Sequence, residues 1–270
     1  MSRSIWDLFD LNGRVAIVTG GYGQLGSQMC DALAEAGANV AVAARSHEKC
    51  DTKATELSTE HNRAIPVEVD VTEEDAVEEM VETVVDEFGR IDILVNNAYD
   101  AYGYGTDFEE LTPEDWTRTF EGVLTQAFLC SQAAHPVIRE SDHGAMINIA
   151  SHYGVVAPDH RVYGDSDLNN PPTYGAAKAG LIQFTRWMAT YLAEEGIRVN
   201  AISPGGFYRD EMEEIDEIND VFLPEYRHRT PLRRMGDETD MKGLIVYLAS
   251  DASKWMTGQN IVLAGGWTAW

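Results

Sequence analysis

Short apolar runs alternate with longer amphipathic segments along the whole chain, and this alternation restricts the fold more than any other feature. RVAIVTG (14–20), NVAVAAR (39–45), AIPVEVDV (64–71), IDILVNNA (91–98), GAMINIAS (144–151), IRVNAISPG (197–205) and GQNIVLAGG (258–266) read as strands. Such near-continuous apolar runs suit strands buried on both faces. Residues 24–37, 47–60, 72–89, 113–140, 173–196 and 239–250 carry helical spacing, and the acidic stretch 208–230 has helical patches. Thr72 is placed to cap the helix 72–89, with Asp75 in the capping-box position. Alternating strand and helix predicts an α/β fold: a doubly wound parallel sheet with right-handed crossovers and helices on both faces. The 270 residues fit one domain, 1–270, with no internal repeat.

The charge is strongly one-sided. Asp and Glu number 45 against 20 Lys and Arg, a net charge of −25, and the acid is spread along the chain. Only five residues are lysine: Lys49, Lys53, Lys178, Lys242 and Lys254. Such a surface repels nucleic acid and anionic membranes, so neither is an expected partner. It also calls for screening, which a salt-rich cell interior supplies; a halophilic host is the preferred reading, an ordinary acidic protein the plainer one. Cys30, Cys50 and Cys130 form no CxxC pair or metal-ligand cluster. No apolar run approaches the length of a membrane span, about 18 residues. A cytoplasmic location is expected.

In a parallel sheet of this kind the ligand lies beyond the carboxyl ends of the strands. The residues there are 20–26, Arg45, Asp70, 96–99, Ser151 and 204–206, which predicts one cleft. The first strand runs into TGGYGQLG (19–26) and then a helix. Glycines there let the backbone approach a pyrophosphate, and the helix start offers N–H groups and partial positive charge. The second strand ends in Ala44, Arg45 and Ser46 rather than in an acid. An acid would accept from the adenosine ribose of NAD; an arginine can hold a 2′-phosphate, so NADP is preferred and NAD possible. Asp70 could accept from the adenine amino group, or simply begin the next helix.

Tyr174 and Lys178 stand four residues apart in a helical pattern and share a face. A nearby ammonium favours the phenolate and brings the tyrosine toward acid–base use. Lysine is rare in this chain, and Lys178 sits among small apolar neighbours, YGAAKAGL. Ser151 ends a strand of the same sheet, where its hydroxyl could hold a substrate carbonyl oxygen.

Together these motifs resemble the short-chain dehydrogenase/reductase family in its single-domain, Rossmann-type form. The resemblance rests on TGxxxGxG-like 19–26, NNA at 96–98, Ser151, YxxxK at 174–178, PG at 204–205 and the GQNIVLAGG ending, and spans about 12–268. It implies hydride transfer between a nicotinamide cofactor and a hydroxyl or carbonyl carbon. Tyr174 would be the general acid/base, Lys178 would bind the nicotinamide ribose and lower the tyrosine pKa, and Ser151 would hold the substrate oxygen. Asn97 would help place the cofactor. The implied cofactor set is Gly20, Gly21, Tyr22, Gly23, Gln24, Leu25, Gly26, Arg45, Ser46, Asp70, Val71, Asn97, Ala98, Pro204 and Gly205, with Tyr174 and Lys178. The family also forms tetramers through long helices corresponding to about 113–135 and 173–195, so a homotetramer or homodimer is expected.

The chain departs from the family pattern at Gln24, where a glycine is usual, and at Val123, where an asparagine supports the proton relay. After Gly205 a threonine that touches the cofactor is missing. Ser151 and Tyr174 are 23 residues apart rather than about 13, so 159–170 is an insert expected to border the substrate pocket or an adjacent subunit. Tyr99, His152, Tyr153 and Arg209 are candidate substrate contacts; Asp159, His160, Arg161 and Tyr163 are further pocket candidates. The acidic segment 206–230 is a candidate lid. Polar groups of this kind suit a sugar or sugar acid. The alternatives are a 3-oxoacyl thioester reductase and a cofactor-binding regulatory protein with weak catalysis.

Overall fold

The structure is a computed structural model and describes residues 3–166, 168–209, 212, 214, 215 and 218–270. Seven parallel strands form one sheet in the order β3-β2-β1-β4-β5-β6-β7. They are β1 (Val15–Thr19), β2 (Asn39–Ala44), β3 (Ala64–Glu68), β4 (Ile93–Asn96), β5 (Ala145–Ile149), β6 (Arg198–Pro204) and β7 (Asn260–Leu263). The helices are α1 (Ile5–Phe9), α2 (Gln24–Glu35), α3 (His47–Leu57), α4 (Glu74–Phe88), α5 (Pro113–Phe120), α6 (Gln126–Ile138), α7 (Pro172–Tyr191), α8 (Leu223–Arg229) and α9 (Lys242–Ala249). Strand order reverses between β1 and β4, which opens a crevice at their carboxyl ends.

The apolar runs work as two-faced strands. In β1, Ala16 and Val18 pack toward α2, α3 and α9, through Met29, Leu33, Ala54 and Ile245. Val15 and Ile17 pack the other way, toward Met80 and Val84 of α4, Cys130 and Ile138 of α6, and Met188 of α7. All three cysteines are buried, and burial raises each thiol pKa. A third cluster joins Val162 and Tyr163 of the insert to Leu223 and Tyr226 of α8 and to Trp267 near the C-terminus.

One local expectation is corrected. Thr72 does not cap α4: its hydroxyl donates to Asp70 Oδ1 at 2.7 Å, and Glu73 takes the cap position without a side-chain bond. The helical material expected over 113–140 is present as α5 and α6, joined by a π-helical turn at Glu121–Thr125. Thr112 and Asp115 cap α5 with a full capping box. Asp167 of the insert, and Asp210, Glu211, Glu213, Asp216 and Glu217 of the candidate lid, lie outside the described residues. Among the described residues no helix is long and apolar enough to cross a membrane.

Candidate active site

The crevice is a cleft of about 900 Å³. Gly20, Tyr22, Gly23, Gln24, Leu25 and Gly26 line it from the glycine loop; Arg45, Asp70, Val71, Asn97, Ala98, Pro204 and Gly205 line it from the other strand ends. Ser151, Tyr174 and Lys178 share it with Tyr99, His152, Tyr153 and Arg209. Three of the expected contacts lie elsewhere. Gly21 faces the sheet, where a Cβ would meet Val42 Cγ1 at 2.9 Å. Ser46 caps α3, accepting from the Lys49 N–H at 3.5 Å. Asn96 is buried beneath the cleft and donates to Ser131 and to Asn148 Oδ1.

The glycine loop is built for close approach. Gly20 has φ +64°, and a Cβ on Gly26 would stand 2.1 Å from the Gly20 carbonyl oxygen. Asn97 Nδ2 donates to the carbonyls of Thr19 at 2.8 Å and Gly20 at 3.2 Å, tying the end of β4 to the loop. The Thr19 hydroxyl accepts from the backbone N–H groups of Asn97 and Ala98, each at 3.0 Å. Gln24 begins α2, and its Nε2 donates to the Tyr208 carbonyl at 2.8 Å. The residue that departs from the glycine pattern therefore links this loop to the candidate lid. These features fit a dinucleotide: a turn whose closest backbone approaches are made by glycines, at a helix start, with Arg45 just after β2.

At the other end, Lys178 is buried and its Nζ donates to the Ile149 carbonyl at 2.6 Å. The ammonium lies 5.8 Å from the Tyr174 ring centroid and 5.6 Å from that of Tyr99. The Ser151 hydroxyl accepts from the Tyr153 N–H at 3.1 Å, which leaves its own proton free to donate. Burial pushes the Tyr174 pKa up to about 12, while a hydrogen bond with Ser151 pulls the other way. Burial lowers Lys178 to about 7. The sequence led to the expectation that the lysine lowers the tyrosine pKa; in this structure desolvation governs both groups. His152 Nδ1 donates to the Pro204 carbonyl at 2.9 Å, and burial lowers its pKa to about 4, so it is neutral. A neutral ring facing a carbonyl holds its proton on Nδ1 and leaves Nε2 an acceptor.

Val123 is fully buried in the π-helical turn. That turn breaks the regular helical ladder, and the Gly122 carbonyl accepts the Asp100 N–H at 2.9 Å. Gln126 Nε2 donates to the carbonyls of Ala98 at 2.7 Å and Val123 at 3.3 Å. Backbone carbonyls thus anchor the segment after β4, a task no side-chain pattern announces.

Sequence reasoning missed Tyr104, which lines the cleft; Leu168, Asn169 and Asn170 line it from the insert and Phe222 and Tyr226 from the candidate lid, segments expected beside the substrate although these residues were not singled out. Of the insert's candidates, Tyr163 lines the cleft, but Asp159 pairs with Arg229 at 2.6 Å and with Arg161 at 2.8 Å. The insert is thereby fastened to α8. Among the described residues no group of acidic, His and Cys side chains could hold a metal ion.

The lysine shift carries a stability prediction. Its folded pKa is depressed, so between about 7 and its ordinary value of 10.5 the unfolded chain binds a proton that the folded chain does not. Stability therefore rises with pH through that window, and the full cost of the buried ammonium is felt below it. Lys178→Met removes this cost. Its melting temperature should exceed the parent's most below pH 7, by about 2–4 °C for each kcal/mol relieved, and the gap should shrink toward pH 10. Thermal melts across pH measure it; a gap independent of pH contradicts the assignment.

The model of the enoyl-(acyl carrier protein) reductase family matches residues 23–268. The hydroxy(phenyl)methyl succinyl-CoA dehydrogenase subunit BbsD of Thauera aromatica is 34% identical over 256 residues, covering 95% of this chain and 97% of the relative. The 3-oxoacyl-(acyl-carrier-protein) reductase FabG of Staphylococcus aureus is 34% identical over 93% of this chain and 96% of its own. The crystal structure of a gluconate 5-dehydrogenase from Burkholderia cenocepacia, in complex with NADP and tartrate, is 30% identical with a TM-score of 0.87, covering 99% and 100% of the two chains. Sequence, fold and cleft agree, and the chain belongs to the short-chain dehydrogenase/reductase family of oxidoreductases.

Proposed function

We propose that this protein interconverts a hydroxyl and a carbonyl group on a small polar substrate of the sugar or sugar-acid class, with NADP preferred over NAD. The observation that carries the substrate reading is the company Tyr174 keeps. Tyr104, Tyr153, Tyr163, Tyr226, Asn169, Asn170 and Arg209 share its cleft, so the walls offer hydroxyl, amide and cationic groups beside aromatic faces. Such walls recognise a hydroxylated, anionic molecule better than an alkyl chain.

A nicotinamide cofactor, when bound, would supply the hydride in reduction and accept it in oxidation. The chain's residues do the rest. Ser151 donates to the substrate oxygen, Tyr174 gives that oxygen a proton in reduction and takes it back in oxidation, and Lys178 holds the cofactor ribose. The insert is clamped to α8 by Asp159 and Arg229, and its described residues, with those of 206–230, are read as the substrate-side lid. A homotetramer or homodimer is supported by Trp116, Phe128, Trp187 and Tyr191, which stand exposed on α5, α6 and α7.

A second reading, reduction of a 3-oxoacyl thioester, is favoured by the matched family model and by the FabG relative. A screen of sugars, sugar acids and acyl thioesters with both cofactors separates the two. Faster turnover of acetoacetyl-CoA than of every sugar acid overturns the first reading. The assays belong in molar as well as dilute salt, because a net charge of −25 supports a halophilic origin.

Arg45 carries the cofactor preference. Removing a charge-assisted contact to a 2′-phosphate costs about 1.5–3 kcal/mol. Arg45→Ala should therefore weaken NADPH binding by about 10–100-fold and NADH binding by less than about twofold, read by fluorescence titration. Equal losses remove the preference.

A further inference from the structure

We propose that Asp100 sets the cofactor preference of this cleft by competing with an incoming 2′-phosphate for the Arg45 guanidinium. The inference rests on the reading of Arg45 as the phosphate-holding group.

Arg45 Nη1 donates to Asp100 Oδ2 at 3.4 Å. Arg45 follows β2 and Asp100 follows β4, and these strands flank β1 in the sheet. The pair therefore crosses the carboxyl end of β1, over the crevice that the dinucleotide enters. Both residues line the cleft.

Asp100 is held where it is. Its N–H donates to the Gly122 carbonyl at 2.9 Å, and Gly122 is required there, since a Cβ would stand 2.4 Å from the Asp100 carbonyl oxygen. The Tyr102 hydroxyl donates to the same Asp100 Oδ2 at 3.3 Å. Arg118 Nη2 in turn donates to the Tyr102 hydroxyl at 2.9 Å, and its guanidinium carbon lies 3.9 Å from the Tyr102 ring centroid. Tyr102 itself is anchored: its N–H donates to Thr119 Oγ1 at 2.9 Å and its carbonyl accepts from Thr173 Oγ1 at 3.1 Å. A continuous chain of side chains, Arg45–Asp100–Tyr102–Arg118, thus runs from the end of β2 to α5.

The consequence follows from charge. A phosphate monoester carries close to two negative charges at neutral pH. At Arg45 it competes with the Asp100 carboxylate for the guanidinium and is repelled by it. NAD carries only ribose hydroxyls at this place, so the Arg45–Asp100 pair survives its binding. The carboxylate therefore moderates NADP affinity and leaves NAD affinity alone. Both side chains are solvent-exposed in part, so the effect is modest and falls with salt.

The test is NADPH and NADH titration of the full chain as Asp100→Asn, Arg45→Ala and the double variant. Asn keeps the size and an acceptor for Tyr102, and the backbone bond to Gly122 does not involve the side chain. Asp100→Asn should tighten NADPH by about two- to tenfold in dilute salt, change NADH by less than about twofold, and lose most of this gain in molar salt. In the Arg45→Ala background the same change should leave NADPH affinity unaltered. Unchanged or weaker NADPH binding in Asp100→Asn, with Arg45→Ala still selective against NADPH, overturns the role of Asp100 and leaves that of Arg45. A gain that persists without Arg45 also overturns it, because the carboxylate then acts as general charge. If Arg45→Ala loses no NADPH affinity, the reading of Arg45 falls, and this inference with it.

Discussion

Tyr174→Phe is expected to lower turnover by about 10²–10⁴-fold while leaving NADPH affinity within about twofold of the parent. The ring is packed by Tyr99 at 6.2 Å and Tyr104 at 6.1 Å between centroids, and phenylalanine keeps those contacts. Only the hydroxyl is lost, and with it the proton that the proposed reaction passes to the substrate oxygen. Lys178 Nζ donates to the Ile149 carbonyl at 2.6 Å, and burial draws its pKa down to about 7. Burial also holds the Tyr174 hydroxyl protonated, with a pKa near 12. It is therefore ready as an acid, and turnover in the oxidative direction, which needs it as a base, should rise with pH across the measurable range. Steady-state kinetics in both directions decide this. A variant with undiminished turnover removes Tyr174 from the proton path, and a falling oxidative profile above neutrality contradicts the direction of its shift.

The strands were legible because burial on both faces leaves a continuous apolar run, and a run such as VAIVT has few other ways to hide. The cleft followed from the same pattern, since parallel strands bring their ends together. Local competition was harder to read. Thr72 looks like a cap, but Asp70 lies two residues away and takes its hydroxyl. Ser46, read as a cofactor contact, directly precedes the helical run from His47; its position announced the capping role that the structure gives it. α1 is five residues long and too short for periodicity to reveal, although Ser4 and Asp7 form a capping box. The π-helical turn is invisible to a 3.6-residue pattern. Its one trace is Gly122, small because Asp100 presses against it. The insert shows the limit most plainly. Nothing in its sequence says that Asp159 will meet an arginine 70 positions onward and so be held against α8.

Gly26→Ala should be the most damaging change of a single methyl group. The added Cβ would stand 2.1 Å from the Gly20 carbonyl oxygen and 2.9 Å from Asn97 Nδ2, neither of which is the end of a flexible chain free to swing aside. Something in the loop has to move. If the Gly20 carbonyl moves, its bonds from the Gly23 N–H at 3.0 Å and from Asn97 at 3.2 Å are broken or bent. If α2 moves instead, the N–H groups at its start no longer point into the cleft, and Gln24 is drawn from the Tyr208 carbonyl. Either route loosens the cradle and the tie to the segment after β6. The expected cost is about 1–3 kcal/mol of stability. Cofactor affinity should fall by about tenfold or more, equivalent to at least roughly 1.4 kcal/mol of lost cradle contacts. Gly243 provides the control within the same chain. It lies in α9, and a Cβ there meets nothing within 4 Å. Gly243→Ala should leave cofactor binding unchanged and raise stability by up to about 1 kcal/mol through the lower entropy of the unfolded chain. If steric closure of the loop is the cause, denaturant melts of the two variants move in opposite directions, and NADPH titrations weaken for Gly26→Ala alone. Equal behaviour would show that the glycine at 26 is tolerated rather than required, and the cradle would lose its strongest physical support.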